Sequence, residues 1–120
     1  MMQAMAHTEA KGPADTRPVD LAHLSRHTLG NRDLEREVLR LFARQAEVAM
    51  RRLETATDPV VLRENVHTVN GSAKGVGAWK VAEAADTAER ALLDGKTPDL
   101  APLRAAVEEA GFYIDGLLES

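Results

Sequence analysis

Cysteine is absent from the 120 residues, which excludes disulfides, a thiol nucleophile, iron–sulfur clusters and thiolate zinc. Aromatic residues are nearly absent. One Trp, one Tyr and two Phe are too few for a base-stacking nucleic-acid surface or an aromatic ligand box. Positive charge is not in excess either: the net charge of −4 gives no reason to seek phosphate backbones or anionic lipid. The partner to expect is a protein, with no nucleic acid and no membrane. No run of about 18 apolar residues occurs, and the first residues lack the apolar stretch of a signal peptide. A cytoplasmic protein is the simplest expectation.

What is present suffices for one domain and not two. Apolar residues make up 44% and charged residues 28%, a balance that buries an ordinary core, here built from Leu, Val and Ala. Residues 1–18 mix Ala, charges, Gly12, Pro13 and Pro18 without a period and read as a disordered tail, leaving residues 19–120 as the domain.

From Val19 onward the apolar spacing is helical, and no segment alternates as a half-buried strand does. Asp20 is a cap for a short helix closed by Gly30, and Asn31 caps the next. That helix runs from Arg32 to about Thr55 and is expected to bury Leu34, Val38, Leu41, Phe42, Ala49 and Leu53. Asp58 and Pro59 start a third helix to about Lys74, with Leu62, Val66, Val69, Ala73 and Val76 as its stripe. Gly75 and Gly77 break the chain before a fourth helix on Val81, Ala85, Ala88 and Leu92, closed by Asp94 and Gly95. Thr97 and Pro98 signal the last helix, which buries Leu100, Leu103, Val107, Ala110, Ile114 and Leu117. Long helices joined by short links pack against their neighbours in alternating directions. The fold expected is all-α: an up-down antiparallel four-helix bundle with a short N-terminal helix, as a monomer.

Packing does not explain every residue of the third helix. At about 100° per residue from its apolar stripe, His67 falls near about 140°, on the solvent side. Arg63 and Lys74 lie on the same side, so the imidazole has two cations for neighbours. Gly71, one turn on, is an exposed helix-interior glycine that costs about 1 kcal/mol against alanine. Its missing side chain gives a partner backbone or a phosphoryl group close access to the ring; relief of crowding against a neighbouring helix is the plainer explanation.

The string HTVNGSAKGVGA, residues 67–78, followed by an Ala-rich helix carrying Glu89, resembles the active segment of histidine phosphotransfer domains. That pattern is His, any residue, an aliphatic, Lys or Arg, Gly, a small pair, and a Gly-Ala pair opening the next helix. The segment VDLAHLSRHTLGNRDLEREVLRLF, residues 19–42, resembles the short and first long helices that precede the motif in bacterial members. The resemblance implies that His67 accepts a phosphoryl group from a receiver-domain aspartyl phosphate and passes it to another receiver, and that Glu89 orients the imidazole. Gly71, Ser72, Gly77 and Ala78 match the family's small residues. One position departs: the basic residue three after the histidine is Asn70 here. Asn70 with Gly71 then lines the access to the imidazole, and Arg63 or Lys74 must neutralise the phosphoryl charge.

An imidazole, largely neutral at pH 7, is a competent nitrogen nucleophile, and a carboxylate on its other nitrogen fixes the tautomer. The chain carries no P-loop and no acidic Mg²⁺ cluster. No cofactor or metal of its own is expected. Mg²⁺ and the aspartate come from the partner receiver of a response regulator or a hybrid histidine kinase, and the chain is a phosphoryl carrier without kinase or phosphatase activity. The competing reading is a non-catalytic adaptor, a degenerate phosphotransfer domain that docks receivers without taking the group.

Three further signals carry less. His23 and His27 are spaced as a metal pair, with no third ligand evident. Arg32, Arg36, Arg40 and Arg44 form an i+4 ridge that reads as a solvated face or a dock for an acidic surface. Trp79 reads as a packing anchor at the end of the bundle.

Overall fold

The computed structural model describes residues 17–119. The disordered tail expected over residues 1–18 lies outside them except for Arg17 and Pro18, which bend into the first helix. Five helices follow: α1 (Leu21–Thr28), α2 (Arg32–Thr55), α3 (Pro59–Val76), α4 (Trp79–Leu93) and α5 (Ala101–Glu119). No strand occurs among the described residues.

Short polar side chains set most of the starts. Asp20 accepts from His23 N, Asn31 from Leu34 N and Asp58 from Val60 N, each satisfying a backbone N–H that has no partner inside its helix. Pro59 follows its cap at the first helical position, where its missing N–H costs nothing. The last helix starts later than the Thr97–Pro98 signal predicts. Asp99 Oδ1 accepts from Ala101 N at 3.0 Å, so a carboxylate two residues on takes the capping role and Pro102 falls in the first turn.

Gly75 was expected to break α3 and does not; α3 continues through it to Val76. Gly77 ends the helix with φ +81, and a Cβ there would stand 3.0 Å from both Cβ and the carbonyl oxygen of Asp20. Only glycine admits that approach of α1 to the turn.

Each long helix packs on two others: α3 on α2 and α4, and α5 on α2 and α4. The short α1 rests on α2 and α3. The core between them is aliphatic, with Leu24, Leu53, Val66, Val69, Val81, Leu103 and Ile114 among its most deeply buried side chains. On α2 the buried set is Leu39, Phe42, Ala46, Ala49, Met50 and Leu53. Leu34 and Leu41, expected in the core, stand 46% and 49% exposed. The true stripe is turned from the predicted one, because α2 is covered on two flanks and Leu39, Ala46 and Met50 face the centre between them.

The arginine ridge divides. Arg36 donates to the carbonyls of Leu117 and Leu118, where the end of a helix leaves oxygens without partners. Arg40 pairs with Glu37 at 3.4 Å, and Arg32 and Arg44 are exposed. Arg104 of α5 pairs with Glu54 of α2. Arg36 thus serves packing, which the ridge reading did not foresee.

Candidate functional site

On α3 the side chains opposite Val66, Val69 and Ala73 leave the core, and His67 is among them: its side chain is 76% exposed. Glu89 faces it from α4, with a side chain only 21% exposed. Nδ1 of His67 lies 2.9 Å from Glu89 Oε2. A carboxylate can only accept, so Nδ1 carries the hydrogen and donates it, which in the neutral ring leaves Nε2 with its lone pair. Burial opposes ionisation of Glu89, but hydrogen bonds from Asn70 and His67 outweigh it and hold the carboxyl below its ordinary value.

Asn70 was expected beside the access path to the ring. Instead the residue is buried at 5% exposure, between α3 and α4. Its Nδ2 donates to Glu89 Oε1 at 2.8 Å and to Asp86 Oδ1 at 2.6 Å. Both acceptors are anions, so the amide has one admissible orientation. Its Oδ1 is consequently buried without a hydrogen-bond partner, a state that costs about 1–3 kcal/mol. Two charge-assisted bonds offset that cost. The helical wheel did not give this position away, because a small polar residue at the edge of a stripe reads equally as surface.

The two expected cations fare differently. Lys74 Nζ stands 3.6 Å from Asp86 Oδ1, so its charge is already partnered. Arg63 is exposed and makes no ion pair among the described residues. Asp86 is the member that sequence reading missed. Its signal was there: Asp86 and Glu89 are spaced i, i+3 and therefore share one face of α4.

Gly71 is exposed, and a Cβ built on it meets nothing within 4 Å. Relief of crowding, the plainer explanation of this glycine, is thereby excluded. Gly75, one turn further, is equally open, so at these two positions beyond His67 the helix presents only backbone. Ser72 is half-buried, and Gly77 and Ala78 are buried at the turn.

The end of α3 is fixed by a second histidine. His23 Nε2 donates to the Lys74 carbonyl at 3.0 Å, and its ring packs edge-on to Trp79 at 4.9 Å and beside His27 at 4.3 Å. The Trp79 indole donates to Asp20 Oδ2 at 3.0 Å. His27 Nδ1 donates to the His23 carbonyl at 3.0 Å. His23 is thus engaged in docking α1 while the exposed His27 bonds only within its own helix, and no group of three or more His, Asp or Glu suited to a metal occurs among the described residues. Trp79 anchors this junction.

The chain was compared with known proteins. No curated protein and no solved structure matches it. A family model does, that of the Hpt domain, over residues 37–119. This span takes in α3, α4 and α5 and most of α2, and with them His67, Asn70, Asp86 and Glu89. The chain belongs to the Hpt domain family, and its role is accordingly one related to phosphotransfer in phosphorelays.

Proposed function

We propose that this protein is a phosphorelay intermediate that accepts a phosphoryl group on His67 Nε2 from the aspartyl phosphate of one receiver domain and passes it to the aspartate of another. The observation that carries the reading is the His67–Glu89 hydrogen bond, which engages one ring nitrogen and leaves the other in solvent. In the transfer the Nε2 lone pair attacks phosphorus, the N–P bond forms, and the P–O bond to the aspartate breaks with the carboxylate leaving. No proton has to move. The Nδ1 hydrogen stays on its bond to Glu89, whose negative charge stabilises the cationic phosphoimidazole. Reversal onto a second aspartate regenerates the neutral ring.

Most of the catalytic work in phosphoryl transfer is positioning and charge neutralisation. In this reading the receiver of a response regulator or a hybrid histidine kinase supplies the Mg²⁺ and the aspartate. The protein brings no cofactor, kinase or phosphatase activity and works as a monomer in the cytoplasm. No helix among the described residues is long and apolar enough to cross a membrane. The open backbone at Gly71 and Gly75 admits the receiver close to the ring. Arg63, one turn before His67 and in no ion pair among the described residues, supplies positive charge, with Lys74 held back by Asp86. The pairwise packing of the four long helices supports an up-down antiparallel bundle as the frame.

The test is incubation with a phosphorylated receiver, followed by assay for acid-labile, base-stable phosphate. Label on the wild type and none on His67→Gln is the expected result. A protein that binds the receiver yet takes no label is the adaptor instead.

A further inference from the structure

The family pattern has a basic residue where this chain has Asn70, and the neutral amide does something a cation would not. Its two N–H groups are divided between Asp86 Oδ1 and Glu89 Oε1. The bond to Asp86 anchors the amide, and Lys74 beside Asp86 offsets part of that carboxylate's charge. The bond to Glu89 fixes the other oxygen of the same carboxylate that receives His67 Nδ1–H. A carboxylate left to itself turns broadly about its last torsion. With Oε1 held, Oε2 has one direction to point. A residue chosen for packing alone would not leave a buried oxygen unsatisfied, whereas a residue chosen for its two donors must.

We propose that Asn70 is a positioning residue: by holding Glu89 Oε1 it aims Oε2 at His67 Nδ1, keeps the ring in the Nδ1–H tautomer, and so makes Nε2 the nucleophilic nitrogen. The consequence for rate rests on the phosphotransfer reading; the consequence for the tautomer does not. A lysine in this place would pair with the same two carboxylates as a charge and weaken the pull of Glu89 on the ring. The amide orients that carboxylate and leaves its charge whole.

The experiment is ¹⁵N-resolved NMR of the His67 imidazole with the ring neutral, in the full chain. The wild type is expected to show the Nδ1–H form alone. Asn70→Leu, close in volume and without donors, is expected to show a mixture with the Nε2–H form, and Asn70→Gln, which keeps the amide, to retain more of the wild-type form. Asn70→Ala makes the same comparison should the leucine variant fail to fold. With a phosphorylated receiver as donor, the leucine and alanine variants are expected to be labelled about tenfold more slowly. A wild-type tautomer in both variants, or wild-type labelling rates in both, overturns the proposal. A wild type that takes no label overturns the phosphotransfer reading, and the tautomer comparison then still decides the role of Asn70.

Discussion

His67 and His23 stand at opposite extremes of what a helix can do with an imidazole. The His67 ring is mostly in solvent, with Nδ1 on a carboxylate and Nε2 open. The His23 ring is half-buried among Trp79, His27 and Gly77, with Nε2 committed to the Lys74 carbonyl. The difference lies in which nitrogen is spoken for and by what. A backbone carbonyl takes one hydrogen and pins the ring to a neighbouring turn, giving packing. A carboxylate takes one hydrogen and adds negative charge behind the ring, which in the proposed function makes the other nitrogen the nucleophile.

The largest effect that sharpens this contrast is on labelling. His67→Gln is expected to abolish phosphorylation by a receiver and leave the helical circular dichroism unchanged. His23→Gln is expected to keep labelling and to lower the unfolding midpoint, since it loosens the junction of α1 with α3. Labelling of the first variant, or loss of labelling in the second without unfolding, would break the contrast.

The two glycines nearest these histidines extend it. Gly71→Ala adds a methyl in open space and should stabilise the protein by up to about 1 kcal/mol, whereas Gly71→Leu should block transfer. Gly77→Ala forces a side chain into a left-handed conformation against Asp20 and should cost about 2 kcal/mol. Denaturant titration of the three variants, with labelling beside it, separates access from packing. A Gly71→Leu variant labelled at the wild-type rate would remove the access argument.

Acid should separate Glu89 from ordinary surface carboxylates. Its carboxyl is held below its ordinary value of 4.5, so its stabilising contribution is fully present above that value and is lost as pH falls through the lower folded value. The difference in unfolding midpoint between wild type and Glu89→Gln is therefore expected to shrink as pH falls below about 4.5. A difference that grew as pH fell below that value would reverse the sign and refute the assignment.

The smallest effect is at Arg63, which has no ion pair among the described residues. Arg63→Ala should slow labelling about fivefold at low salt, the equivalent of about 1 kcal/mol, and less at high salt. Lys74→Ala should do less, its charge being shared with Asp86. Equal rates at both salt concentrations would mean that the receiver alone neutralises the phosphoryl group.

Sequence periodicity carried the helices because caps and stripes are local: Asp20, Asn31 and Asp58 cap where their side-chain type demands. It failed at Leu34 and Leu41 because two equally regular apolar rows run along α2 and only the neighbouring helices decide which is covered. The exposure of His67 was legible for the same local reason. Asn70 and Asp86 were not, since their pairing joins residues 16 apart in sequence through a helix contact that no single-helix wheel contains. Gly75 was misjudged because glycine permits a break without requiring one.

The central claim is that Glu89 reserves Nδ1 and leaves Nε2 as the acceptor. Proton–phosphorus correlation NMR of the phosphorylated protein tests it most directly, because phosphorus on Nε2 lies three bonds from both ring carbon-bound hydrogens, and phosphorus on Nδ1 lies three bonds from only the one between the nitrogens. The account predicts a single phosphohistidine resonance, at His67, correlated with both hydrogens. A resonance correlated with only one of them, or a phosphohistidine at any other position, would contradict it.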